Sequence, residues 1–296
     1  DEKQDLDGLI TVSGVSDLKF AAEGNRIKIF FPNRISGAKT VSVETAVKNI
    51  LGNPLKSKFA LELMFEELKP DVKLIGQGVI LPNSKGLIFP FQAVNLNAVD
   101  VRITKIYEKN VIQFLQINDL KGEYELWRVG KQIFSQKISL IGQATNLGKW
   151  NNFTFDLAKL IKTEPGAIYQ VTIFFNKNYS LYPCNTDPPK KEATSGEIVE
   201  SDLSDDGYDY SQRNNPCHSM YYRDKSYTRN ILASDIGIMA KRGANGNLLI
   251  VATDLLTAGP LSGLDVSVYD YQQQVIASLK TNNDGICNYT PKQGET

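Results

Sequence analysis

Along most of this chain the apolar residues recur at every second position in short runs, and the 3.6-residue spacing of an amphipathic helix is almost absent. In Val99-Asp100-Val101-Arg102-Ile103-Thr104 the alternation is strict, so Val99, Val101 and Ile103 share one face of a strand, and that face must be buried. Shorter runs of the same kind stand at Ile10-Thr11-Val12, Arg26-Ile27-Lys28-Ile29-Phe30 and Thr40-Val41-Ser42-Val43. Turn signals separate them at Glu23-Gly24-Asn25, Ser36-Gly37 and Gly52-Asn53-Pro54, at the spacing of a small sandwich. The pattern predicts an all-β protein of tandem Ig-like β-sandwich modules. Two stretches can be helical. Residues 45–51 suffice for one turn. Residues 156–162 read as the one short helix, with Asp156 as cap, Leu157, Leu160 and Ile161 on one face, and Glu164-Pro165-Gly166 as the stop.

Punctuation divides the chain into three modules. The first covers residues 1–71 and closes near Lys69-Pro70. The second, residues 72–232, opens with Lys73-Leu74-Ile75-Gly76-Gln77-Gly78-Val79-Ile80-Leu81-Pro82 and contains the short helix. The third, residues 233–296, has a hairpin tip at Asn245-Gly246-Asn247, a strand pair around Gln272-Gln273 and a turn at Asn283-Asp284-Gly285. It stops at Thr296 just after a strand-like run, so it is expected to be truncated and the chain to be a piece of a longer one. Between residues 183 and 210 hydrophobic periodicity vanishes into Asp187-Pro188-Pro189, Ser195-Gly196 and Asp202-Leu203-Ser204-Asp205-Asp206-Gly207. A loop of that length inside a compact domain is as a rule functional or disordered, and it is expected to be mobile.

Composition narrows the function classes. Over 296 residues the chain is 42% hydrophobic and 22% charged, as a soluble globular protein is. Lys+Arg and Asp+Glu both number 33, so no global field steers it toward nucleic acid or an anionic membrane. No apolar run approaches the roughly 18–20 residues that span a bilayer. The polar start, Asp1-Glu2-Lys3-Gln4-Asp5, shows no signal peptide, and it is also what remains once one has been removed. Three cysteines without C-x-x-C spacing are most simply one bridge and one buried thiol. Cys184 and Cys217 flank the polar loop and are expected to close it, whereas Cys287 alternates as a core residue would. A disulfide would place the protein outside the cytoplasm.

Candidate chemistry is sparse. The only histidine, His218, follows Cys217, but a Cys–His nucleophile pair normally joins residues distant in sequence, with a third group orienting the base. Cys184, Cys217 and His218 lack a fourth ligand and zinc-site spacing. Asp202, Asp205, Asp206 and Asp209 offer oxygens to calcium but lack the Glu that completes an EF-hand. Gly76-Gln77-Gly78 has no helix after it to hold a phosphate and reads as a sheet bend or bulge. Tyr208, Tyr210, Tyr221, Tyr222 and Tyr227 read as packing residues ahead of a sticky binding face. No catalytic residue, metal or cofactor is expected, and the chain is not expected to be an enzyme.

A resemblance gives these absences a meaning. Ser234-Asp235-Ile236-Gly237-Ile238-Met239-Ala240-Lys241-Arg242, then Leu248-Leu249-Ile250-Val251-Ala252-Thr253-Asp254-Leu255, then Gly259-Pro260-Leu261-Ser262-Gly263-Leu264-Asp265-Val266 in series resemble a macroglobulin-like domain of the bacterial α2-macroglobulin family. The turn Thr281-Asn282-Asn283-Asp284-Gly285 resembles the family's T-x-x-x-G element. Upstream, Gly78-Val79-Ile80-Leu81-Pro82 and Glu164-Pro165-Gly166-Ala167-Ile168-Tyr169 are similar to its preceding macroglobulin domain, and the first module to the Ig-like domain that often opens such chains. The loop, Asn215-Pro216-Cys217 and Tyr221-Tyr222 resemble Bacteroidetes versions. The resemblance implies part of a secreted or periplasmic, lipoprotein-anchored endopeptidase inhibitor that traps proteinases, with the lipid anchor outside this stretch. None of Cys184, Cys217 and Cys287 stands in the family's C-x-E-Q thioester element. The alternative is a surface adhesion or glycan-binding protein of Ig-like modules using the tyrosine-rich loop.

Overall fold

The computed structural model describes residues 3–33, 35, 37–82, 86–184, 195–196, 209–244 and 246–291. It is an all-β structure of several sheets, and by internal contacts it forms two units, Asp1–Lys69 and Pro70–Thr296. In the first unit, β1 (Ile10–Val12), β4 (Gly37–Val43) and β5 (Phe59–Phe65) make an antiparallel sheet in the order β1-β4-β5, and β2 (Lys19–Glu23) pairs with β3 (Arg26–Phe30) as a separate hairpin. Leu6, Ile10 and Val47 are its buried apolar centre, with Phe20, Ile29, Val41 and Val43 packed against them. Residues 45–51 form no helix. Asn49 Oδ1 accepts the amides of Leu51 and Asn53 instead, so the segment closes on itself as a turn.

The second unit opens as a sandwich of two sheets. One has three strands in the order β11-β8-β6, from β6 (Asp71–Leu74), β8 (Ile88–Val94) and β11 (Asn151–Asp156). The other has five in the order β10-β9-β12-β13-β7, from β7 (Ile80–Leu81), β9 (Ala98–Ile106), β10 (Gly130–Ser139), β12 (Ile168–Phe174) and β13 (Ser226–Ala233). The alternation in β9 works as its sequence predicts: Val99, Val101 and Ile103 are fully buried against Phe89, Phe91, Tyr169 and Val171. Its other face is not simply wet. Ile106 joins Phe114, Val129 and Ile168 in a second small core on the outside of the five-stranded sheet.

That outer core belongs to a helical excursion the sequence does not announce: a 3-10 turn, Glu108–Asn110, running into α1 (Val111–Leu115), followed by α2 (Leu126–Val129). The expected helix at 156–162 is a single turn, α3 (Leu157–Leu160), and Asp156 caps it by accepting the Ala158 amide. Gly76-Gln77-Gly78 does more than bend a sheet. β6 lies in one sheet and β7 in the other, so residues 75–79 carry the chain across the sandwich, and Gly76 supplies a φ of +79°.

The remainder of the unit comprises β14 (Ile236–Arg242), β15 (Leu248–Asp254) and β18 (Ile286–Tyr289) as one sheet, with β16 (Asp265–Tyr269) and β17 (Val275–Lys280) as a hairpin. Ile250, Ala252, Cys287 and Tyr289 are its buried apolar residues among those described, and Cys287 carries a free thiol.

Candidate functional site

The most elaborated local structure is the base of the polar loop. Cys184 and Cys217 form a disulfide, their Cα atoms 5.6 Å apart and 33 positions apart in sequence. The chain re-enters the fold through two capped 3-10 helices. Asp209 accepts the Ser211 amide to start Tyr210–Asn214, and His218 Nδ1 accepts the Met220 amide at 3.1 Å to start Ser219–Tyr222. His218 is thereby a cap, and its neighbour Cys217 is held in the disulfide. The acidic run 202–206, and Tyr208 with it, lie outside the described residues.

Both tyrosines of the second helix turn inward. Tyr221 and Tyr222 are buried, meet edge to face at 5.0 Å, and Tyr222 meets Phe175 at 5.9 Å. Their hydroxyls are satisfied on arrival: Tyr222 donates to Pro216 O at 2.6 Å and Tyr221 to Pro70 O at 2.9 Å. Tyr227 donates to Asp71 Oδ1, and Lys225 pairs with the same oxygen at 3.4 Å while lying over the Tyr221 ring. Burial, with the Asp71 charge behind it, pushes the Tyr221 phenol up to about 12. Tyr227 is raised as well, first by burial and then by its bond to Asp71. Tyr221 and Tyr227 thus fasten the loop base to the first residues of the sandwich, and Tyr222 ties the base to itself and to Phe175, which removes all three from any contact face, while Tyr210 is exposed.

The loop also touches the far side of the sandwich. β10 is an edge strand, and Gly196 pairs with it through Lys137 N to Gly196 O at 2.7 Å and the return bond at 3.1 Å, while Ser195 Oγ accepts the Ser139 amide. Where it is covered in this way, at Lys137 and Ser139, the edge cannot recruit a foreign strand. Beneath this contact sits Asp100, 1% exposed, opposite Lys137 in the ladder and accepting the Tyr179 hydroxyl at 2.9 Å. Burial raises its carboxyl to about 6, against the opposing pull of Tyr179, Lys137 and Arg102. Neither Asp71 nor Asp100 stands out in the sequence as a site residue; the only signal for Asp100 is a carboxylate on a strand whose two faces are both covered.

Among the described residues no group of three or more His, Cys, Asp or Glu side chains is placed to hold a metal ion. The second constructed feature is the turn at 281–285. Buried Thr281 donates its hydroxyl to Leu261 O at 2.5 Å and accepts the Leu264 amide, and Asn282 Oδ1 accepts the amides of Asp284 and Ile286. Gly285, at φ +72°, lies so close to Ala252 O that a Cβ there would stand 2.4 Å from it. The T-x-x-x-G spacing is the physical requirement of this turn.

That turn lies in the part of the chain with a family match: residues 233–296 match the family model of the bacterial alpha-2-macroglobulin MG3 domain. Curated proteins include no match. Among solved structures, native alpha-2-macroglobulin from Escherichia coli spanning domains MG0-NIE-MG1 aligns over 100% of this chain and 83% of that one, at 17% identity and a TM-score of 0.55. The cryo-EM native conformation of the E. coli protein aligns over 100% of this chain at 16% identity and a TM-score of 0.57. Salmonella alpha-2-macroglobulin reacted with methylamine aligns over 100% at 15% identity and a TM-score of 0.50. This chain spans 16% of the length of each of those two. At such identities the likeness is one of fold, and it agrees with tandem β-sandwich modules. The resemblance read from the sequence and these comparisons meet on the bacterial alpha-2-macroglobulins.

Proposed function

We propose that this chain, which carries a bacterial alpha-2-macroglobulin MG3 domain at residues 233–296, is a scaffold segment of an α2-macroglobulin-like endopeptidase inhibitor that traps proteinases. It contributes shell and spacing and no chemistry of its own. The observation that carries the reading is that match, in a stretch whose T-x-x-x-G turn is held by the hydrogen bonds of Thr281 and Asn282. Two placements support it: His218 spends Nδ1 on a backbone cap, and Cys217 is bonded to Cys184, so the adjacent Cys–His pair is committed to structure. The disulfide favours an oxidising compartment, periplasm or cell surface. Proteinases are the partner class, met through the whole parent.

The test uses the full-length parent and trypsin. Trapping leaves the bound trypsin able to cut a small chromogenic peptide and unable to digest casein, with a mobility shift of the parent on a native gel. Digestion of casein at the free-enzyme rate after the parent has been cut would refute the proposal.

A further inference from the structure

A cleft of about 260 Å³ opens where residues 75–79 leave one sheet and have not yet reached the other. One wall is this crossing segment, including Gln77; the other is the edge of β13 at Thr228, Arg229 and Asn230, with Lys121 at the rim. Two features of that edge are unfinished. β7 covers β13 only at Leu232 and Ala233, through Leu232 N to Val79 O at 2.7 Å. Strand N–H groups alternate in direction, so the amides of Asn230 and Thr228, two and four residues before Leu232, point out of the same edge. Among the described residues they have no backbone partner there.

The second feature is Arg229. It faces the sandwich interior with its guanidinium 5.0 Å from the ring centroid of fully buried Phe89. Its Nη2 is sealed from solvent and bonds to nothing. Desolvation pulls its pKa down. A sealed guanidinium nitrogen without an acceptor is a costly arrangement, and none of the residues lining the cleft is acidic. The cleft therefore offers two cations, free strand amides and no anion.

We infer that this cleft is a binding site for an extended peptide carrying a carboxylate side chain, whose backbone pairs with Thr228 and Asn230 and whose carboxylate takes Arg229. Strand addition supplies the register, and alternate side chains of the added strand point to the two faces of the sheet, one of them toward Arg229. The inference does not depend on proteinase trapping.

The test titrates the 1–296 chain with the blocked peptide Ac-Thr-Val-Glu-Val-Thr-NH2 and its Glu-to-Gln counterpart, following amide resonances by NMR. The expected result is movement of the Thr228 and Asn230 amides and affinity for the Glu peptide about tenfold above the Gln peptide. Arg229→Gln should abolish that difference, and Lys121→Ala, at the exposed rim, should weaken the Glu peptide alone, by about twofold to fivefold. Arg229→Met, read by thermal melting without peptide, should melt no lower than the parent chain, since it removes a half-buried charge whose sealed Nη2 has no acceptor. Equal binding of both peptides, unmoved Thr228 and Asn230 amides, or a melting point lowered by Arg229→Met would each overturn the inference. So would sodium acetate or inorganic phosphate binding as tightly as the Glu peptide, because the site would then select a free anion.

Discussion

Asp100 shows how one buried residue can set a pH response. Its carboxyl, near 3.8 in an unstructured chain, rises to about 6 in the fold because burial disfavours the charge. The folded state therefore holds the proton more tightly. The associated stability is fully present below 3.8 and is lost as pH rises through about 6. Asp100→Asn keeps an oxygen for the Tyr179 hydroxyl and removes the charge. It should raise the melting temperature at pH 7.5 by the equivalent of at most about 3 kcal/mol and make no difference near pH 3.5, as scanning calorimetry at the two pH values would show. Gly285 sets a steric limit in the same way. Gly285→Ala meets both a positive φ and a carbonyl oxygen and should cost more than about 2 kcal/mol in urea unfolding. Gly52→Ala, at φ +81° in open space, should cost about 1 kcal/mol.

At the scale of elements, the described residues of the polar loop are attached by the disulfide and by the pairing of Ser195 and Gly196 on β10. Chain entropy assigns a closure of this length about 3–4 kcal/mol. Replacing Cys184 and Cys217 together by serine should therefore lower stability by up to that amount, while hydrogen exchange at Tyr221 and Tyr222 stays slow because their burial does not depend on the bridge. Strands with strict alternation, β9 above all, were legible in the sequence because a two-residue period has one structural meaning. The excursion at 108–129 was not. Val111-Ile112 and Phe114-Leu115 show no clean period, and their helix exists because Phe114 finds Ile106, Val129 and Ile168 on the back of the sheet. The Asp71 and Arg229 contacts were equally hidden, since each joins residues more than 100 positions apart.

For the whole molecule, the two compact units differ in how much they bury. Pro70–Thr296 holds a continuous core from Val72 to Ala233, whereas Asp1–Lys69 centres on Leu6, Ile10 and Val47 and leaves Phe59, Leu61 and Met64 of β5 exposed. Apolar area removed from water sets the gain on folding, so the first unit should unfold first on heating. Residue-resolved hydrogen exchange against temperature checks this: protection at Ile10 and Val12 should vanish several degrees below protection at Val101 and Val171. The turn signals and apolar runs made the β class readable, but this inequality between cores was not, because exposure of β5 depends on what packs over it and not on its own composition.

The bonds around Pro70 and Asp71 have a mechanical meaning. Tension arriving along the backbone at Pro70 does not fall on the four-residue β6 ladder alone. It is also taken up by Tyr221 and Tyr227, which grip Pro70 and Asp71 from residues just beyond the bridged loop. A pull on the sandwich from its N-terminal side is thus also a pull on the foot of that loop.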